Sequence, residues 1–110
     1  MTDSRANKLR LELRRGTLIM SVLASTKTPQ YGYSLRKLLN DAGIEIDEGT
    51  LYPLVRRLAE QELLDSEWKH SEGRERRYYL LSKKGHEVLE QLIDDWQQLN
   101  KSMNALLDIK

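Results

Sequence analysis

The sequence has 110 residues, 39% hydrophobic and 32% charged, enough for one helix-rich domain with a modest core. It has no cysteine, which excludes disulfide staples and thiol catalysis and suits a reducing cytoplasm. The net charge of +1 decides nothing about nucleic acid, because 18 basic and 17 acidic side chains can segregate onto different faces.

The opening MTDSRANKLRLELRR has no apolar core of the kind an export signal needs. Nowhere do about 18 apolar residues run together, so neither export nor a membrane span is expected. The first apolar segment runs from about Leu9 to Ser25. Leu9, Leu13, Ile19, Met20 and Leu23 recur at helical spacing, and Leu11, Leu18 and Val22 widen the apolar surface. A helix apolar on two sides in a small protein needs two partners, one of them in a second chain.

TKTPQYGYS breaks the pattern with Pro29 and Gly32. A second helix is expected from about Tyr33 to Ala42, with Leu35, Leu38, Leu39 and Ala42 inward, Arg36 and Lys37 outward, and Gly43 as its stop. Ile44-Glu45-Ile46 forms a short link, and Asp47 is placed to cap a third helix over roughly Glu48 to Gln61. There Leu51, Leu54, Val55 and Leu58 make one tight apolar stripe.

From Leu64 the period changes to two. Leu64, Ser66, Trp68 and His70 alternate with Asp65, Glu67 and Lys69, and Arg76 to Leu81 read as the returning strand of a hairpin whose loop holds Gly73. Ser82 caps a final helix from about Lys83 to Leu107. The order of three helices, a hairpin and a long helix describes a mostly α fold with a small β-hairpin, a winged helix-turn-helix followed by a dimerisation helix. Residues 1–82 carry the first helix and the winged unit in this reading, and residues 83–110 the C-terminal helix.

In the last helix Leu89, Leu92, Trp96, Leu99, Met103 and Leu106 are spaced 3, 4, 3, 4 and 3 apart, an a/d seam. Such a seam either folds back on its own domain or pairs with a second copy. The small core offered by the preceding elements favours pairing, with Leu9 and Leu13 of the first helix as further interface. Trp96 in mid-seam has two open readings. It packs the seam, or it faces its symmetry mate across a gap that takes a flat aromatic ligand by stacking.

The third helix turns Gly49, Pro53, Arg56 and Glu60 away from its apolar stripe, with Tyr52 on one shoulder and Thr50 and Arg57 on the other. A helix entering a major groove needs such a slim face with hydroxyl and guanidinium groups. Whether Arg56 meets a base or a phosphate is open. Arg74, Arg76 and Arg77 around Gly73 suit phosphate contact or a narrow minor groove, and a solvated hairpin balanced by Glu72 and Glu75 is the plainer alternative. Tyr33, Ser34 and Lys37 stand where they can touch the backbone of DNA.

Pro53 breaks helical hydrogen bonding, but an early position in the third helix limits the loss to about one bond. Catalysis has almost no support. His70 and His86 lie 16 residues apart without a metal-spaced partner, Asp94 and Asp95 face different directions on a helix, and no glycine loop cradles phosphate. No cofactor is expected.

GYSLRKLL, GTLYPLVRRLAEQELL and GRERRYYLLSKKG together resemble the PadR-like transcriptional regulators, over essentially the whole chain from about Leu9. The chain looks like the short branch with a single C-terminal helix. The resemblance implies a homodimeric repressor on a roughly palindromic operator. It places Thr50, Tyr52, Pro53, Arg56, Arg74 and Arg76 at the DNA, with Tyr33 and Ser34 near phosphate. It also implies, for some short members, a planar aromatic compound held between paired tryptophans, and Trp96 stands at that position. Glu75 departs from the family's usual proline or glycine, which implies one weaker DNA contact. A winged-helix adaptor that binds protein rather than DNA is the alternative, and the arginine-rich wing argues against it.

Overall fold

The computed structural model describes residues 3–109 as helices α1 (Ser4–Ser25), α2 (Gly32–Asp41) and α3 (Glu48–Glu60), strands β1 (Leu64–Ser71) and β2 (Arg74–Leu81), and helix α4 (Lys83–Leu106). Met1, Thr2 and Lys110, included in the two expected segments, lie outside the described residues.

Helices α1, α3 and α4 each start on a side chain that takes up an orphan backbone donor. The Asp3 carboxylate accepts the Arg5 N–H at 2.9 Å, which starts α1 five residues before Leu9; that polar first turn carries no apolar periodicity to announce it. Asp47 accepts the Thr50 N–H at 2.9 Å and Ser82 accepts the Gly85 N–H at 2.9 Å, as expected of both caps. α2 stops at Gly43, whose φ of +92° lets the Ile44 N–H reach back to the Leu39 carbonyl at 2.8 Å and its own N–H to Asn40 at 3.0 Å. This paired return is the Schellman ending, and it favours a residue without Cβ. α3 ends in the same way, with Leu63 N–H on Leu58 and Glu62 N–H on Ala59, both at 3.0 Å, but there the left-handed position is held by Glu62 at φ 64°.

The core joins Val22 and Leu23 of α1, Leu35 and Leu39 of α2, the whole Leu51/Leu54/Val55/Leu58 stripe of α3, Leu64, Tyr79 and Leu81 of the hairpin, and Leu89 of α4. Each fully buried leucine contributes about 1.5–3 kcal/mol of transfer free energy. Two inward assignments on α2 are corrected. Leu38 is 42% exposed and Ala42 is exposed, because this ten-residue helix buries only Leu35 and Leu39 while Ala42 already belongs to its C-cap.

The strands pair antiparallel from Leu64↔Leu81 at the root to Ser71↔Arg74 at the tip. β2 starts at Arg74, two residues earlier than the apolar pattern suggests. Glu72 and Gly73 close the hairpin with φ of 51° and 76°, the two positive values a type I′ turn requires. Ser66, Trp68 and His70 share a face with buried Leu64 yet are exposed, because the hairpin leaves the body beyond its root. The root itself is tied down. Gln30 and Tyr79 exchange backbone hydrogen bonds of 3.0 and 2.7 Å, the Leu81 N–H donates to Thr26 at 2.7 Å, and the Ser82 hydroxyl donates to the Glu62 carbonyl at 2.7 Å.

α4 begins inside this body and ends outside it. Leu89 is buried in the chain's own core, so it is not open to a second copy as the heptad spacing suggested, and Leu92 is half-buried against that core. The seam available to a partner begins at Trp96, 45% exposed, and continues through Leu99, 63% exposed, to Met103 and Leu106. Leu9, Leu11 and Leu13 on the first half of α1 are likewise exposed.

Candidate nucleic-acid interface

α2 and α3 form the helix-turn-helix, and three contacts hold its turn. Arg36 Nη1 donates to Glu48 Oε1 at 2.8 Å, joining the middle of α2 to the first residue of α3. Arg14 reaches from α1 to donate to the Glu45 carbonyl at 2.6 Å, and Asn40 Oδ1 accepts the Ile46 N–H at 3.2 Å. Hydrogen bonding from Thr50, its side chain first and its N–H next, lowers the Asp47 carboxyl below its ordinary 3.8; the nearby Arg36 charge adds a smaller push in the same direction. The cap is therefore fully ionised at neutral pH, where it also complements the positive end of α3.

The outward face of α3 carries Gly49, Thr50, Pro53, Arg56, Arg57 and Glu60, all exposed. Pro53 is the sixth residue of the helix. The first helical bond is already made by Leu51 to Asp47 at 3.0 Å, so the proline removes one bond, the one Gly49 would have accepted, and α3 runs on unbroken. Tyr52 is half-buried and does more than flank this face. Its ring lies against Gly32 at the start of α2, where a Cβ would meet Tyr52 Cε1 at 2.9 Å.

The two expected residues on α2 behave differently. Tyr33 is exposed, its ring stacked 6.5 Å from that of Tyr31. The half-buried Ser34 hydroxyl accepts the Tyr31 N–H at 3.0 Å and donates to Gln30 Oε1 at 2.8 Å, so it serves to begin α2. Lys37 pairs with Asp41 at 3.2 Å, one turn along the same helix.

The three wing arginines are not one cluster. Arg74 stands exposed at the tip. Arg76 shares its face, but its side chain is only 18% exposed and its guanidinium carbon lies 4.4 Å over the Tyr31 ring. Arg77 is on the opposite face, donating to Ser66 Oγ at 3.0 Å. Glu75 also faces that way and sits 3.3 Å from His70 Nδ1, away from Arg74 and Arg76. Sequence reasoning missed Tyr31 altogether. Its ring meets Tyr78 edge-on at 5.3 Å and stacks with Tyr33 at 6.5 Å. The signal was present in the Tyr31-Gly32-Tyr33 triplet at the start of α2.

An open groove of about 900 Å3 runs between α1 and the α2–α3 link, lined by Leu11, Arg14, Leu18, Arg36, Ile44 and Ile46 among others. Trp96 does not line this groove and stands exposed on α4. Among the described residues no helix is long and apolar enough to cross a membrane, and no group of His, Cys, Asp or Glu side chains is arranged to hold a metal ion.

A helix-turn-helix with an exposed second helix, a hairpin wing and long flanking helices is the winged architecture of a DNA-binding transcriptional regulator. Residues 19–91, more than half of the chain, match the transcriptional regulator PadR-like family, and the protein belongs to that family. It is similar to a PadR family transcriptional regulator from Eggerthella lenta, with 44% identity and a TM-score of 0.87 over 98% of this chain and 96% of that one. A PadR-like transcription factor from Bacteroides fragilis is 35% identical, with a TM-score of 0.75 over 90% of this chain and 98% of its own. A PadR-like regulator from Bacillus cereus is 31% identical, with a TM-score of 0.80 over 90% and 99%. Members of this family are transcriptional regulators rather than enzymes.

Proposed function

We propose that the protein is a cytoplasmic, homodimeric repressor that binds a roughly palindromic operator and is released by a planar aromatic ligand. In this reading Thr50, Pro53 and Arg56 enter the major groove with Tyr52 at their shoulder, while Arg74 and Tyr33 meet phosphate to either side. The observation that carries it is the uncovered seam of Trp96, Leu99, Met103 and Leu106, extending from the same body that presents α3. Four large apolar side chains in heptad register on one helix suit pairing with their own symmetry copies, aided by Leu9 and Leu13. Two copies so joined present two recognition helices, which is what a palindrome requires.

Selection of bound duplexes from a random pool tests this reading. The expected product is two inverted half-sites about one helical turn apart, bound by a dimer. Recovery of no duplex at all would instead support the adaptor alternative. The ligand is tested in a Trp68→Phe background, which leaves Trp96 as the sole fluorophore of its kind. Flat aromatic compounds are expected to quench Trp96 and to lower operator affinity together; quenching without loss of affinity sinks the release mechanism.

A further inference from the structure

We infer that Arg76 is a positioning residue: by stacking on Tyr31 it sets the angle of the wing against α2, and so fixes where Arg74 meets the DNA. The inference rests on the DNA-binding reading. An arginine two residues from a hairpin tip has every opportunity to stay solvated, yet this side chain is 18% exposed. Its guanidinium carbon lies 4.4 Å from the Tyr31 ring centroid, well within the reach of about 6 Å over which a ring face attracts a cation. Arg76 Nη2 is 3.6 Å from Glu72, so part of the charge is already answered within the wing.

Tyr31 is not an isolated platform. It meets Tyr78 edge-on at 5.3 Å, and Lys69 Nζ lies 5.6 Å over the Tyr78 ring. Lys69, Tyr78, Tyr31 and Arg76 thus form a ladder of cation, ring, ring and cation on the face of the hairpin opposite Leu64, Tyr79 and the core. The geometry explains why such a ladder matters. Backbone pairing between Gln30 and Tyr79 attaches the wing along one line, about which a two-stranded ribbon can still twist. A second attachment away from that line removes the freedom. Arg74 is the next residue on the same face toward the tip, so its direction follows from where Arg76 is held. Stacking uses the face of the guanidinium and leaves its N–H edge free, so direct phosphate contact is the competing role for Arg76.

Salt dependence separates the two roles, because each phosphate contact adds about one unit to the slope of log affinity against log salt. The measurement uses the full chain and the duplex that wild type selects from a random pool. Arg76→Gln and Tyr31→Leu are each expected to weaken binding about tenfold with the wild-type salt slope retained. The double variant should be no weaker than either single one, and Tyr31→Phe, which keeps the ring face, should bind like wild type. Arg74→Ala, in contrast, should lose about one unit of slope. A slope reduced in Arg76→Gln, or losses that add in the double variant, overturns the inference.

A second measurement needs no DNA. The Arg76 side-chain protons should resonate upfield in wild type and Tyr31→Phe, from the ring current, and return to ordinary positions in Tyr31→Leu. Their absence in folded wild type removes the clamp itself. An intact upfield shift in a protein that selects no duplex would instead overturn the DNA-binding reading on which the inference stands.

Discussion

The ring of Tyr52 occupies the space into which a side chain on residue 32 would grow: a Cβ on Gly32 would stand 2.9 Å from Tyr52 Cε1. The contact joins α3 to the start of α2. Gly32→Ala should therefore push the ring aside. Overpacking of this kind costs about 1–3 kcal/mol, more than the small helical preference of alanine returns at a first-turn position. The expected result is a melting temperature lower by about 5 °C and weaker operator binding. Removing the ring as well, in Gly32→Ala/Tyr52→Ser, should lose less than the two single changes added together.

Glu62 offers the opposite opportunity. It ends α3 in a left-handed conformation, φ 64°, where glycine has no steric penalty. Its side chain is exposed and forms no hydrogen bond among the described residues. Glu62→Gly should stabilise the protein by about 1 kcal/mol in urea unfolding, with DNA affinity unchanged. A destabilised variant would mean that the residue does more than turn the chain.

The Asp47 cap predicts an acid-sensitive step. Its folded-state pKa lies below 3.8, so the stabilisation is fully present above that value and is lost as pH falls through the folded pKa. Asn caps a helix nearly as well without titrating. Asp47→Asn should melt close to wild type at neutral pH, while its melting temperature falls less steeply than wild type below pH 3.8. Parallel melting curves across that window would refute the assignment.

At the proposed DNA face, Arg56→Ala and Arg74→Ala should each weaken operator binding about tenfold or more. Arg74→Ala should also make the salt dependence shallower by about one unit. Arg56→Ala should do the same where its partner is a phosphate, and should instead relax sequence preference at one position where its partner is a base. Filter binding at several salt concentrations, with single-base operator variants, reads all three outcomes.

α4 predicts two fates for one heptad seam. Leu89→Ala strikes the chain's own core and should lower stability by about 2–5 kcal/mol. Leu99→Glu alters a residue that is 63% exposed, and should leave each chain folded while shifting sedimentation from dimer to monomer. A Leu99→Glu protein that still sediments as a dimer would move the interface elsewhere.

The contrast between those leucines marks the limit of sequence reading here. The 3–4 spacing identified one apolar line from Leu89 to Leu106, but spacing does not say which neighbour covers each position. Leu51, Leu54, Val55 and Leu58 were legible because a single narrow stripe on an amphipathic helix has one place to go, and the structure buries all four. The hairpin was legible from its change of period and Gly73. Leu38 misled because a short helix buries fewer residues than its apolar content suggests. Arg76 was visible as a wing cation and assignable to a face, but its stacking partner Tyr31 is distant in sequence and no local pattern connects them. The polar first turn of α1 gave hydrophobic periodicity nothing to register.

The hairpin is also a lever. An eight-residue strand reaches roughly 25 Å, so a rotation of about 5° at the root carries the tip through about 2 Å. That displacement separates a formed hydrogen bond from a broken one. Its fulcrum is Ser82, whose hydroxyl holds both the first turn of α4 and the carbonyl at the end of α3. Arg76 on Tyr31 grips the same arm beyond this fulcrum, so a small slip in that one contact is enough to move the far end of the wing.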